Sequence, residues 1–158
     1  PSQVSEVETL AQMLRFLPRL RRSLGTMPPA TLVEIIVAAS RVRFYDAEFF
    51  DELLPELRSR LRKRATGLSC QDMVDCVAAL QELNAYDPAI FSDVARALRH
   101  RANELDAAQR RRILTVFKTA NHRGDSEFVA LIVQREKQEA EEKQAMRQAA
   151  DYLVMRSP

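Results

Sequence analysis

The residues of this chain best suited to chemistry are two cysteines, two histidines, a scatter of carboxylates and an excess of arginine. Cys70 and Cys76 stand six positions apart. On a helix that is about 240° of rotation, so the thiols face different ways and match no redox or zinc pair. They read as two buried thiols of a reducing compartment. His100 and His122 are distant from both and show no ligand spacing. Asp72, Asp75 and Glu34 fall on otherwise ordinary helical stretches, and no Ser–His–Asp arrangement, metal quartet or isolated carboxylate pair emerges. Three glycines are too few for phosphate-cradling loops of the GxGxxG or GxxxxGK[ST] kind. The chain therefore reads as non-enzymatic, with no catalytic residue, cofactor, metal or small-molecule substrate expected. Arg123-Gly124-Asp125 matches an adhesion tripeptide, but it falls where a turn needs Gly and a helix needs a capping Asp.

Arginine is the exception to this plainness. The basic residues comprise 20 Arg and 4 Lys, against a net charge of only +2. Arginine offers planar, two-pronged contacts to phosphate and carboxylate that lysine does not. The residues are grouped: Arg19, Arg21 and Arg22; then Arg58, Arg60, Arg62, Lys63 and Arg64; then Arg96, Arg99, His100 and Arg101; then Arg110, Arg111 and Arg112.

What positions these groups is a repeat. The chain has 158 residues, 46% hydrophobic and 29% charged, as in a globular domain with a core. Its bias toward Ala, Leu, Arg, Glu and Gln favours helix. No run approaches the ~20 apolar residues of a membrane helix, so no membrane insertion is expected. "YDAEFF" from Tyr45 is echoed by "YDPAIF" from Tyr86, 41 positions later. At that offset apolar positions coincide at Leu32/Met73, Val33/Val74, Ile36/Val77, Val42/Leu83, Phe50/Phe91, Leu53/Val94 and Leu57/Leu98. An offset of 37 brings Ile113, Leu114, Phe117 and Ala120 into phase, and aligns 17–24 with 54–61.

A period of 37 to 41 with two helical phases per unit is the pattern of an α-solenoid. The expected fold is all-α, about 3.5 repeats of antiparallel helix pairs with a long polar C-terminal helix. Helices are expected at 4–22, then in pairs at 29–43/47–64, 70–84/88–103 and 106–121/126–153. Residues 1–133 form the repeat domain and 134–158 a charged helical extension. In each pair Asp46, Asp87 or Asp125 caps the second helix, and Pro88 suits its first turn. Tyr45 and Tyr86 staple onto Phe49 and Ile90. Ser69 to Asp72 and Asp106 to Gln109 read as capping boxes.

The repeat sorts the charges. Basic groups close the second helices and acids open them, which the helix dipole favours and which places them on opposite edges. Arg110–Arg112 break that rule, since they occupy the first turn of a helix and replace Met73, Val74 and Asp75. Arg58, Arg60, Arg62, Arg64, Arg99, Arg101, Arg110, Arg111 and Arg112 are thus the candidate RNA- or anion-binding strip. Arg110→Glu with Arg112→Glu is expected to weaken partner binding and leave helicity intact. In the last helix 134–144 has no apolar stripe, and Met146, Ala149, Tyr152 and Leu153 resume one. Met146, Tyr152 and Leu153 are the candidate partner-binding residues.

The pattern of 68–98, "LSCQDMVDCVAALQELNAYDPAIFSDVARAL", resembles the 37–38-residue helical repeats of organellar RNA-binding proteins. These are the heptatricopeptide and octotricopeptide arrays, including FAST-kinase-like and RAP-associated proteins. The resemblance spans about residues 10 to 133, and residues 134–158 hold no counterpart of a RAP domain. It implies a mitochondrial setting, although the chain begins at Pro1 and no targeting peptide is among these residues. It also implies RNA contact, about one base per unit. The expected function is a non-catalytic binding module of a mitochondrial ribonucleoprotein, touching RNA backbone, ribosomal RNA included. The alternative is a scaffold subunit of a large mitochondrial protein complex with no direct RNA contact.

Overall fold

The computed structural model describes residues 3–63 and 66–156. Those residues form helices and turns and no strand. The α-helices are α1 (Leu10–Ser23), α2 (Pro29–Arg41), α3 (Ala47–Leu61), α4 (Cys70–Glu82), α5 (Pro88–Arg99), α6 (Ala107–Thr119) and α7 (Ser126–Arg156). One difference from the sequence expectation lies at the start. A single helix over 4–22 is replaced by a 3-10 turn, Val4–Glu6, and then α1. Thr9 accepts from the Gln12 N–H while Gln12 reaches back to the Thr9 N–H, a capping box that starts a new helix at Leu10. Buried Val4 and Val7 lie against α2, held by Arg41, whose guanidinium donates to the Val7 and Ser5 carbonyls.

The six later helices lie in two layers. α2 packs on α4 and α4 on α6; α3 packs on α5 and α5 on α7. Within each pair the short hinge turns the chain back, so α2 meets α3, α4 meets α5 and α6 meets α7. The in-phase apolar positions form the core between the layers: Leu32, Ile36, Phe50, Leu53 and Leu57 of one unit, Met73, Val77, Phe91, Val94 and Leu98 of the next. Ile113, Phe117, Phe128 and Ile132 extend it into the third.

The hinges explain why the units repeat. Asp46 and Asp87 cap α3 and α5, accepting from the Phe49 and Ile90 N–H groups at 3.1 Å each. The tyrosines staple one residue further on than expected. Tyr45 meets Phe50 and Tyr86 meets Phe91, each with ring centroids 4.9 Å apart. Four residues past the cap is where a side chain returns over the helix start, and Phe49 and Ile90 point into the core. The first helix of each pair ends in the same way. Arg43, Asn84 and Asn121 take left-handed φ values of 55°, 55° and 57°. The N–H groups of Phe44, Ala85 and His122 then donate to the carbonyls of Ala39, Leu80 and Phe117. This is one helix-terminating motif used three times.

Asparagine tolerates that conformation and arginine does not. Arg43→Gly should therefore stabilise the protein by about 1 kcal/mol, read as a rise in the thermal midpoint, with a smaller rise for Asn84→Gly. A fall in stability for Arg43→Gly would mean the side chain holds something the backbone does not.

Candidate functional site: a basic groove

Most of the arginines expected to form one external strip bond partners within the chain, although only Arg110 among the described ones is buried. Arg60 donates to the carbonyls of Met27 and Gly25. Arg101, one unit later, donates to the Leu68 carbonyl at 2.7 Å. Both clamp the end of a second helix to the residue that opens its pair. Arg101 also grips Glu104 at 2.8 and 3.0 Å, a hydrogen bond that holds the Glu104 carboxyl below its ordinary range. A second series joins successive units. Arg21 pairs with Glu52 at 2.6 Å, Arg58 with Asp87 at 3.2 Å and Arg99 with Glu127 at 3.1 Å. Basic helix ends and acidic helix starts, expected on opposite edges, meet because each new helix begins beside the later turns of its predecessor.

Arg110–Arg112 separate by direction. Arg110 is only 7% exposed. Its guanidinium bonds Glu139, Glu136 at 2.6 Å and the Leu105 carbonyl at 2.7 Å. The arginine that replaces core Met73 thus fixes the polar stretch of α7 that had no apolar stripe of its own. The expectation that Arg110→Glu leaves the fold intact is reversed, since a third carboxylate would face Glu136 and Glu139. Arg112 pairs with Asp75 at 2.6 Å, and Gln109 donates to Gln71 at 2.9 Å. These two contacts tie α6 to α4. Arg111 is exposed. Arg64 lies outside the described residues.

What remains open to an anion is a groove of about 760 Å³ between the ends of α3 and α5 and the start of α4. Its lining includes Arg62, Lys63, Arg96, His100 and Arg101 and no carboxylate. Arg62 and Lys63 are exposed and enter no ion pair among the described residues. Ser69, the cap of α4, also lines the groove, so the positive end of that helix dipole points the same way. Lys63, Arg96 and His100 were not among the expected site residues. Their signal in sequence was adjacency to Arg62 and Arg99, and only the packing of α3 against α5 makes them neighbours. Met146, Tyr152 and Leu153 lie elsewhere, on the distal end of α7, and are 73%, 55% and 68% exposed.

Sequence reading also missed a hydrogen-bonded chain at the third hinge. The Ser92 hydroxyl donates to Asp125 at 2.7 Å, His122 Nε2 donates to the same carboxylate at 2.7 Å, and Tyr86 donates to His122 Nδ1 at 2.5 Å. Burial, then the Asp125 and Asp87 carboxylates, push the Tyr86 phenol up, which keeps it protonated as the donor. His122 occupies the position of Phe44 and Ala85 in the other units and packs among Phe91, Phe117 and Tyr86. The order of contacts matters chemically. The serine hydroxyl donates to the Asp125 carboxylate and not to the imidazole, so the contacts do not follow the Ser–His–Asp order of a nucleophilic triad. Asp125, expected to cap α7, instead takes φ 59° and gives its carboxylate to Ser92 and His122. Asp125 still immediately precedes its helix, and its carbonyl accepts from the Val129 N–H as those of Asp46 and Asp87 accept from Phe50 and Phe91; it is the side chain that the longer turn at 122–125 directs elsewhere.

The thiols are buried, as their sequence context implied. Burial pushes Cys76 up to about 12 and raises Cys70. At pH 8 iodoacetamide should label native Cys76 on the order of a thousandfold more slowly than a free thiol. Both thiols should react at once in denaturant, as read by mass spectrometry of the peptides. Rapid native labelling of Cys76 would show that α4 opens readily.

Among the described residues no group of three or more His, Cys, Asp or Glu could hold a metal, and no helix is long and apolar enough to cross a membrane. The class defined by these observations is an all-α protein of paired helices with a basic groove. No family model, no curated protein and no solved structure matches the chain.

Proposed function

We propose that the chain is an α-solenoid acting as a non-catalytic binding module, and that its groove grips the phosphodiester backbone of RNA. The observation behind this reading is the groove's lining: five basic side chains and no carboxylate, with Arg96 and Arg101 paired to Asp93 and Glu104 outside the lining, and Arg62 and Lys63 paired to no acid among the described residues. The pairing of Arg58, Arg60, Arg101, Arg110 and Arg112 within the chain sharpens it, because those side chains are already engaged. Contact through charge alone reads no sequence, which suits a subunit of a ribonucleoprotein better than a reader of a particular message. The mitochondrial setting follows from the resemblance of the 68–98 repeat to organellar arrays.

The test is fluorescence anisotropy with labelled single-stranded RNA across a salt series. Affinity should fall as salt rises, and Arg62→Glu with Lys63→Glu should weaken binding more than tenfold. Removing two phosphate contacts should also flatten the salt slope by about 1.4. Arg21→Gln, whose partner is Glu52, should leave affinity within twofold. Equal binding by the doubly substituted groove and the parent would refute RNA contact there. A second reading, a protein scaffold, is favoured by the exposed apolar end of α7.

A further inference from the structure

α7 outruns the rest of the fold. It spans 31 residues, or roughly 46 Å at 1.5 Å per residue. Its last buried residue is Ile132, and Glu139 bonds Arg110 of α6. All of 140–156 is exposed, about 25 Å of helix. Polar or charged residues throughout would explain such a projection, but this one has an apolar face. Ala145, Met146, Ala149, Tyr152 and Leu153 share a sector of about 120°. Arg147 and Asp151 lie on the opposite side. Glu142 and Arg156 close the apolar sector at its two ends, and Arg156 stacks over Tyr152 with its guanidinium carbon 4.9 Å from the ring centroid.

The order of these residues is self-complementary about Ala149. Three positions to either side stand Met146 and Tyr152, four positions away Ala145 and Leu153, and seven positions away Glu142 and Arg156. We infer that the distal half of α7 pairs with the same segment of a second copy of this chain, antiparallel, with the two-fold axis at Ala149. Small Ala149 faces itself and lets the helices approach closely. Met146 of one copy packs beside Tyr152 of the other, and Ala145 beside Leu153. Glu142 meets Arg156 at both ends of the seam. The parallel alternative places Glu142 against Glu142 and Arg156 against Arg156, so charge selects the antiparallel pair. About four turns of helix bury less than a standard interface, which predicts a weak, concentration-dependent dimer. The inference stands apart from the groove, and either can fail without the other.

The full chain should move from monomer to dimer with concentration in sedimentation equilibrium. Arg156→Glu or Glu142→Arg alone should raise the dissociation constant at least tenfold, and the two together should restore it. Ala149→Cys should give a disulfide-linked dimer under mild oxidation, since the native thiols are buried, whereas Glu142→Cys alone should not. Circular dichroism confirms that each variant keeps its helices. A monomer at all accessible concentrations, a dimer indifferent to the charge exchange, or cross-linking of Glu142→Cys in place of Ala149→Cys would each overturn the antiparallel pairing.

Discussion

Arg110→Ala should destabilise the protein by about 2–3 kcal/mol in urea denaturation, and the loss should centre on α7. The substitution takes the shared cation from Glu136 and Glu139, leaving Glu139 only Lys143, and leaves the Leu105 carbonyl without its donor. Breaking a fully buried ion pair costs about 3–5 kcal/mol. The lower figure applies because the carboxylates stay 24% and 35% exposed and recover some hydration. A triple change, Arg110→Met with Glu136→Gln and Glu139→Gln, should recover the loss to within about 1 kcal/mol, because apolar replacement of a buried charge cluster is often neutral. Methionine is also what the preceding unit places there, at Met73. Hydrogen exchange should show residues 133–140 opening early in Arg110→Ala. Uniform opening of the chain would mean that Arg110 supports the core rather than the α6–α7 junction.

Phe91→Ala should have the larger effect, about 3–5 kcal/mol, typical of a fully buried aromatic truncated in a packed core. Phe91 is completely buried and its ring meets Tyr86, Phe117 and His122 at centroid distances of 4.9, 5.2 and 5.5 Å. It therefore joins the second hinge, the first helix of the third unit and the turn that carries the Ser92–Asp125–His122–Tyr86 chain. A cavity there loosens all three. Because domains of this size are stable by only ~5–15 kcal/mol, the variant should be close to its unfolding threshold at 37 °C. Tyr86→Phe removes only the phenol bond to His122 and should cost about 1–2 kcal/mol. The ranking is what matters: if Tyr86→Phe proved as damaging as Phe91→Ala, the hinge would rest on the polar chain and not on the rings.

Both predictions concern residues whose class was legible in the sequence and whose partners were not. Phe91 repeats Phe50 at the same phase, so its place in the core followed from periodicity. Asp46, Asp87, Ser69 and Asp106 were legible as caps because a cap bonds within three residues of itself. Helix order, hinge positions and the apolar register are local or periodic quantities, and a sequence contains those directly.

Arginine differs because its reach is long and its partners are distant in the chain. Arg58 meets Asp87, Arg110 meets Glu136 and Glu139, and Arg112 meets Asp75. Each pairing spans 26 to 37 residues and depends on how successive units are staggered. Much of the charge clustering that suggested a continuous strip was drawn by that stagger into internal bonds, while Arg62 and Lys63 stayed open in the groove. The turn at 122–125 shows the same limit in miniature. With one residue inserted, Asp125 still precedes α7, but its carboxylate joins a hydrogen-bonded chain with His122 and Ser92. The amino-acid sequence alone determined that this protein is helical, paired and periodic, because those properties repeat along the chain at fixed spacing. The tertiary structure decided which cations stay free, because a charge is neutralised by whatever packing brings within about 4 Å, whatever its position in the sequence.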